Sequence, residues 1–180
     1  MSKVLLVVCH PNYKDSFATK TVVEKLKTLI PDIEVDNIHE LYPDGKIDVK
    51  AEQEKLLKAD TIIFQFPMYW FKSPYFLSKW VEDVFTHGFA YGSSGYKLEG
   101  KKLIVSMTMG GEKKDFEGKS AIDRLVSPFE ATALFIKMKF GGYACTFDIP
   151  FGIKETPDVA KAKTLELEKQ AEEVVNLTKN

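Results

Sequence analysis

The sequence predicts an α/β fold: a doubly wound, five-stranded parallel sheet of strand order 2-1-3-4-5 with helices on both faces. Three observations predict it. Val4–Cys9 is a continuous apolar run, and the largely apolar Thr61–Phe66 and Leu103–Met107 read likewise as strands buried on both faces. Helical periodicity recurs between the strands, as crossovers in a parallel sheet require. Turn residues or a proline close each run: His10-Pro11-Asn12, Pro67, and Thr108-Met109-Gly110-Gly111. In this topology the ligand crevice lies where strands 1 and 3 diverge.

The elements follow in order. After the first strand, Ser16 is placed to cap a helix with apolar positions at Ala18, Val22, Leu26 and Leu29, ended by Pro31. Ile33–Ile38 alternates as an edge strand does, Pro43-Asp44-Gly45 is a turn, and residues 50–58 form a short helix. Pro67 cannot donate to a ladder, so the strand Thr61–Phe66 stops before it. Ser73-Pro74 then reads as cap and first residue of a helix continued by Leu77, Trp80, Val81, Val84 and Phe85. Residues 86–102 are glycine-punctuated loop, and residues 112–126 carry charge without a clear period. Ser127-Pro128-Phe129-Glu130 predicts a helix start, Gly141-Gly142 a break before a fifth strand at Tyr143–Phe147, and Thr156-Pro157 the start of the last helix.

The 180 residues suit one domain, 1–180, with no linker or repeat. Hydrophobic and charged fractions of 44% and 28% are those of an ordinary globular chain, and a net charge of −1 gives no basis for nucleic-acid binding. The N-terminus lacks the long apolar core and cleavage site of a secretory signal, and no run reaches the ~18 apolar residues of a membrane span. Cys9 and Cys145 read as buried reduced thiols, which fits a cytoplasmic chain. No motif has metal-ligand spacing.

Topology brings three loops together. His10–Phe17 offers donors: the amides at a helix start favour an anion, Ser16 adds a hydroxyl and His10 an imidazole, while Asp15 is an unwelcome carboxylate. Ser16 also fits an ordinary N-cap. Pro67, Met68, Tyr69, Trp70 and Phe71 offer apolar walls and backbone groups, which suit a flat ring with polar edges such as an isoalloxazine. Three consecutive aromatics cannot all face one core, so at least one points into a cleft or partner. Thr108-Met109-Gly110-Gly111 offers close backbone approach and amides aimed at one atom.

Gln65-Phe66-Pro67-Met68-Tyr69-Trp70-Phe71, with Ser73-Pro74, Lys79-Trp80, Asp83-Val84-Phe85 and Gly88-Phe89-Ala90-Tyr91, closely resembles the signature of flavodoxin-like NAD(P)H:quinone reductases. That family includes DT-diaphorase, the modulator-of-drug-activity quinone reductases and the ancillary oxidoreductases of glutathione-gated potassium-efflux systems. His10 with Ser16-Phe17, Thr108 with Gly110-Gly111, and Phe140-Gly141-Gly142-Tyr143 fit as well. The resemblance implies a tightly held flavin, a homodimer with sites at its interface, and two-electron reduction of quinones by NAD(P)H. It places His10, Ser16 and Phe17 at the flavin phosphate and ribityl chain, Pro67, Met68, Trp70 and Phe71 beside the ring, and Gly110 and Gly111 at its pyrimidine edge. Tyr91 and Phe89 would line the substrate pocket across the dimer. The short chain leans to FMN, with FAD the alternative.

One departure stands out. Where DT-diaphorase has a tyrosine and a histidine proposed to relieve charge on the reduced flavin, this chain has Phe116 and Ile122. Neither donates a proton, so that task falls to the Gly110 and Gly111 amides, to Lys113 or Lys114, or to solvent. The expected scheme is ping-pong hydride transfer through one shared site. Two other readings are a regulatory subunit of a potassium-efflux transporter and a flavodoxin-type electron carrier; near-neutral charge counts against the carrier.

Overall fold

The computed structural model describes residues 3–118 and 121–179. Met1 and Ser2 of the N-terminal stretch, and Lys119 and Ser120 within the charged segment 112–126, lie outside the described residues. Five strands, β1 (Val4–Val8), β2 (Glu34–Asn37), β3 (Thr61–Pro67), β4 (Lys102–Thr108) and β5 (Lys139–Thr146), form one sheet ordered β2-β1-β3-β4-β5. Every pairing is parallel. β1 and β3 are buried along their whole length, whereas the edge strands β2 and β5 are mostly half-exposed. The predicted fold class and strand order are therefore the observed ones.

Alternate residues of the central strands feed two cores. Leu5, Val7, Ile62, Phe64, Phe66 and Val105 pack with α3 (Val49–Lys58), α4 (Tyr75–Val84) and α5 (Ile122–Phe135) through Leu56, Leu77, Trp80 and Ala133. Leu6, Val8, Ile63 and Ile104 face α1 (Ala18–Leu29) and α6 (Pro157–Lys179) through Val22, Leu26, Leu167 and Ala171. A short α2 (Ile38–Leu41) follows β2, a helical turn the sequence pattern does not announce.

Four boundaries differ from expectation. α4 begins at Tyr75; Pro74 is the cap residue at ψ 141°, still extended, so Ser73 is not the cap. Pro67 belongs to β3, and a last-residue proline forfeits no ladder bond that the next loop needs. α5 begins at Ile122, with Pro128 inside it. Pro128 and Arg124 both lie on the exposed side of the helix, where losing one backbone hydrogen bond costs less than it would in a buried helix. β5 runs through Gly141-Gly142 instead of starting after them. The register slips between Leu103 and Val105, Gly142 sits at φ +99°, and a Cβ on Gly141 would come within 2.7 Å of the Lys102 side chain. The glycines make a bulge inside the strand.

Candidate active-site cleft

The C-terminal ends of β1, β3 and β4 open into one cleft. Its larger part, about 680 Å³, is lined by His10, Ser16 and Phe17, by Pro67, Met68 and Tyr69, and by Thr108 and Gly110. A second part of about 530 Å³ is lined by Met68 to Phe71, Gly110, Gly111, Asp115 and Phe116. Met68, Tyr69 and Gly110 border both parts, so the three predicted loops form a single continuous site.

The donor end is built on α1. Ser16 Oγ accepts from the Thr19 amide at 3.2 Å, the expected capping bond. Thr19 lines the cleft, is fully buried, and its hydroxyl has no partner. His10 Nδ1 accepts the Asn12 amide proton at 3.0 Å, so the neutral ring carries its proton on Nε2 as a free donor. Burial, with His39 nearby, lowers the His10 pKa and keeps the ring neutral. Asp15, the objection to an anion here, is held by the Asn12 side-chain amide at 2.8 Å.

The wall is a strained turn. Tyr69 N–H donates to Lys72 O at 2.9 Å and Lys72 N–H to Tyr69 O at 3.0 Å, with Trp70 at φ 50° and Phe71 at φ 61° between them. This is the mirror-image turn that usually demands Asn-Gly. Trp70 is 91% exposed, and Phe71 packs on Phe116 with ring centroids 5.5 Å apart.

The glycine loop is tied to both neighbours. Met68 N–H bonds Thr108 O at 2.9 Å. Ile149 N–H bonds Met109 O, and Asp148 N–H bonds Gly111 O, at 3.0 and 2.9 Å. A Cβ on Gly111 would lie 3.0 Å from the Phe116 ring and 3.1 Å from Asp115 Oδ2, so the close packing of this loop uses the glycine.

Other expected residues lie elsewhere. Phe89 is buried in the core and Tyr91 packs between His87 and Phe135; neither lines the two parts of the cleft. Phe116 is a wall residue, stacked between Phe71 and Phe147, and Ile122 is half-buried against the core at the start of α5. Lys114 pairs with Glu112 at 2.9 Å, and Lys113 lines a separate cleft against α6. Sequence reasoning missed the β5–α6 loop, whose Ile149–Glu155 forms a fourth wall, and Asp115 at the rim. Ile149-Pro150-Phe151-Gly152 was the available signal, an apolar stretch with a proline just after a strand.

The chain belongs to the flavodoxin-like fold family, whose model matches residues 2–171. It is 42% identical over 142 residues to the uncharacterised NAD(P)H oxidoreductase YrkL of Bacillus subtilis (strain 168), covering 77% of this chain and 81% of that one. It is 37% identical over 139 residues to the glutathione-regulated potassium-efflux system ancillary protein KefF of Enterobacter sp. (strain 638), covering 76% and 78%. Among solved structures, general stress protein 14 of Treponema denticola, in complex with FMN, superposes with a TM-score of 0.83 at 29% identity over 98% of each chain. Among the described residues no helix is long and apolar enough to cross a membrane, and no group of three His, Cys, Asp or Glu side chains is placed to hold a metal.

Proposed function

We propose that this chain is an FMN-dependent NAD(P)H:quinone oxidoreductase. The observation that carries the reading is the continuity of the cleft, with an anion-binding end at α1 and an aromatic end at the 69–72 turn. The residues fit the cofactor: an orphaned buried hydroxyl on Thr19 and a free His10 Nε2–H at one end, and an apolar wall facing Gly110 and Gly111 at the other. The FMN-bound relative and the NAD(P)H oxidoreductase relative support both redox partners.

His10, Ser16, Phe17 and Thr19 would hold the phosphate and ribityl chain by neutral donors and helix-start amides. Pro67, Met68, Trp70 and Phe71 would flank the ring, with Tyr69 and Thr108 at its border, and the Gly110 and Gly111 amides would favour negative charge at its pyrimidine edge. Bound flavin supplies two-electron hydride exchange between the nicotinamide and the acceptor. The protein's part is positioning, exclusion of water by the aromatic wall, and backbone electrostatics. Phe116 supplies packing, so the proton that the acceptor needs comes from solvent or from the rim. A flat apolar acceptor such as a quinone suits the aromatic end. The reading also carries a homodimer in the cytoplasm, with Tyr91 reaching the site of the second copy; Phe89, buried in the core of its own chain, has no free face to do so.

Heat release of the cofactor followed by chromatography should yield FMN. Trp70→Ala should lower both flavin content and menadione reduction; retention of both at wild-type level would reject this site. Initial rates against NAD(P)H at several menadione concentrations should give parallel lines, and intersecting lines would reject a shared site. A second reading rests on the KefF relative: the chain would also serve as an ancillary subunit of a potassium-efflux transporter. Co-purification with such a transporter, and a change in efflux on deletion, test it.

A further inference from the structure

The 69–72 turn has two sides. Its central residues, Trp70 and Phe71, line the aromatic part of the cleft. Its flanking pair, Tyr69 and Lys72, lines a separate groove of about 490 Å³ on the other side, closed by Pro11, His39, Ser73 and Tyr75. Tyr69 borders this groove and both parts of the cofactor cleft, so the groove leads directly from the ring end of the site.

The groove's chemistry is specific. Tyr75 is 77% exposed, and with Tyr69 and Pro11 it offers flat apolar surface. Lys72 forms no ion pair among the described residues, whereas Lys79, on α4, is held by Asp83 at 2.6 Å. The His39 ring lies 4.6 Å from Phe76, and its Nε2 is buried without a partner. Aromatic walls, one unpaired cation and a neutral imidazole together suit a nucleoside phosphate. A second lysine-bordered cleft, with Lys14, Lys20 and Lys154, opens from Ser16 and Phe17 at the opposite, phosphate end. Of the two, the Tyr69 groove is the one that adjoins the aromatic end.

We infer that the groove between the 69–72 turn and α2 binds the adenosine-phosphate tail of the nicotinamide coenzyme, with Lys72 on a phosphate and Tyr69 and Tyr75 against the adenosine. This rests on the oxidoreductase reading and adds to it the place where the dinucleotide is held.

The test compares wild type with Lys72→Glu, Lys72→Arg and Tyr75→Ala, all flavin-loaded, using NADPH, NADH and reduced nicotinamide mononucleotide with menadione. Lys72→Glu should raise the KM of a dinucleotide about tenfold or more, the worth of a lost charge-assisted hydrogen bond, with kcat little changed. Lys72→Arg should restore the KM, Tyr75→Ala should raise it, and the mononucleotide should respond to none of the variants. A rise for NADPH alone assigns Lys72 to the 2′-phosphate; a rise for both dinucleotides assigns it to the pyrophosphate. Unchanged dinucleotide KM values, or a parallel rise for the mononucleotide, overturn the inference. Calorimetric titration with ADP-ribose and its 2′-phosphate needs neither flavin nor turnover. Binding of either by wild type that Lys72→Glu weakens supports the groove even if the redox reading fails, and no binding of either overturns it.

Discussion

Trp70 and Phe71 share a conformation that bulky side chains avoid. A residue with a Cβ held at positive φ costs about 1–2 kcal/mol, and here two such residues are adjacent. The hydrogen bonds that close the turn hold the strain. Trp70 has almost no contacts within the chain to offset it, and its side chain stands free on the cleft wall. Asparagine accepts this conformation readily. Trp70→Asn should therefore stabilise the flavin-free protein by about 0.5–1 kcal/mol in urea denaturation while weakening flavin binding. A loss of stability in the flavin-free protein would mean that Trp70 packs within the chain. The identity of this loop was legible, because three aromatics after a strand have no single core to enter. Its geometry was not: nothing in Tyr69-Trp70-Phe71-Lys72 signals a mirror-image turn, which local sequence normally marks with glycine or asparagine.

At the scale of elements, strands were easier to read than boundaries. Residue type alone identifies β1, β3 and β4, since a run buried on both faces must be largely apolar. Gly141-Gly142 and Pro128 misled because each is normally a breaker, and here the surroundings tolerate them: a bulge against Lys102 for the glycines, and an exposed helix face for the proline. The polar cluster beneath α3 was likewise invisible, because its members come from four separate elements. Glu52, fully buried, accepts from Tyr42 Oη at 2.7 Å, Lys55 Nζ at 2.7 Å and Trp80 Nε1 at 2.8 Å, which ties α3 to the segment after α2 and to α4. Burial pushes the Glu52 pKa up, but these hydrogen bonds outweigh it and hold the carboxyl below its ordinary value. Asp36, on β2 and bonded to Lys55 at 2.6 Å, is instead pushed up from 3.8 to about 6 by burial, with Glu52 beside it opposing ionisation. A folded pKa above the unfolded one means that folding holds the proton. The stabilisation is full below about pH 4 and is lost as pH rises through 6, at a cost of up to about 3 kcal/mol. Asp36→Asn removes the titration, so its stability relative to wild type should be more favourable at pH 8 than at pH 4. Urea denaturation at the two pH values checks this, and a pH-independent difference would refute the raised pKa.

Among the described residues, two groups of strongly exposed large apolar side chains stand out. One is the cleft mouth, with Trp70 and Phe151; the other is the end of α5, where Leu134 and Phe135 are 65% and 63% exposed. Phe135 lies 5.7 Å from the Tyr91 ring, so the residue expected to act across a dimer sits beside the second patch. Large apolar side chains grouped at an exposed helix end mark a contact surface, and a second copy seated there would explain why Tyr91 lies outside the cleft of its own chain. In that arrangement the substrate pocket is completed only by association, and activity should follow oligomeric state. Phe135→Glu places a charge in the patch without touching the residues of the flavin cleft. Sedimentation velocity should show a dimer for wild type and monomer for the variant, with FMN retained and menadione reduction lost. If the variant remains dimeric and active, the subunits meet through another face, and Tyr91 is a packing partner of α5 instead of part of a shared pocket.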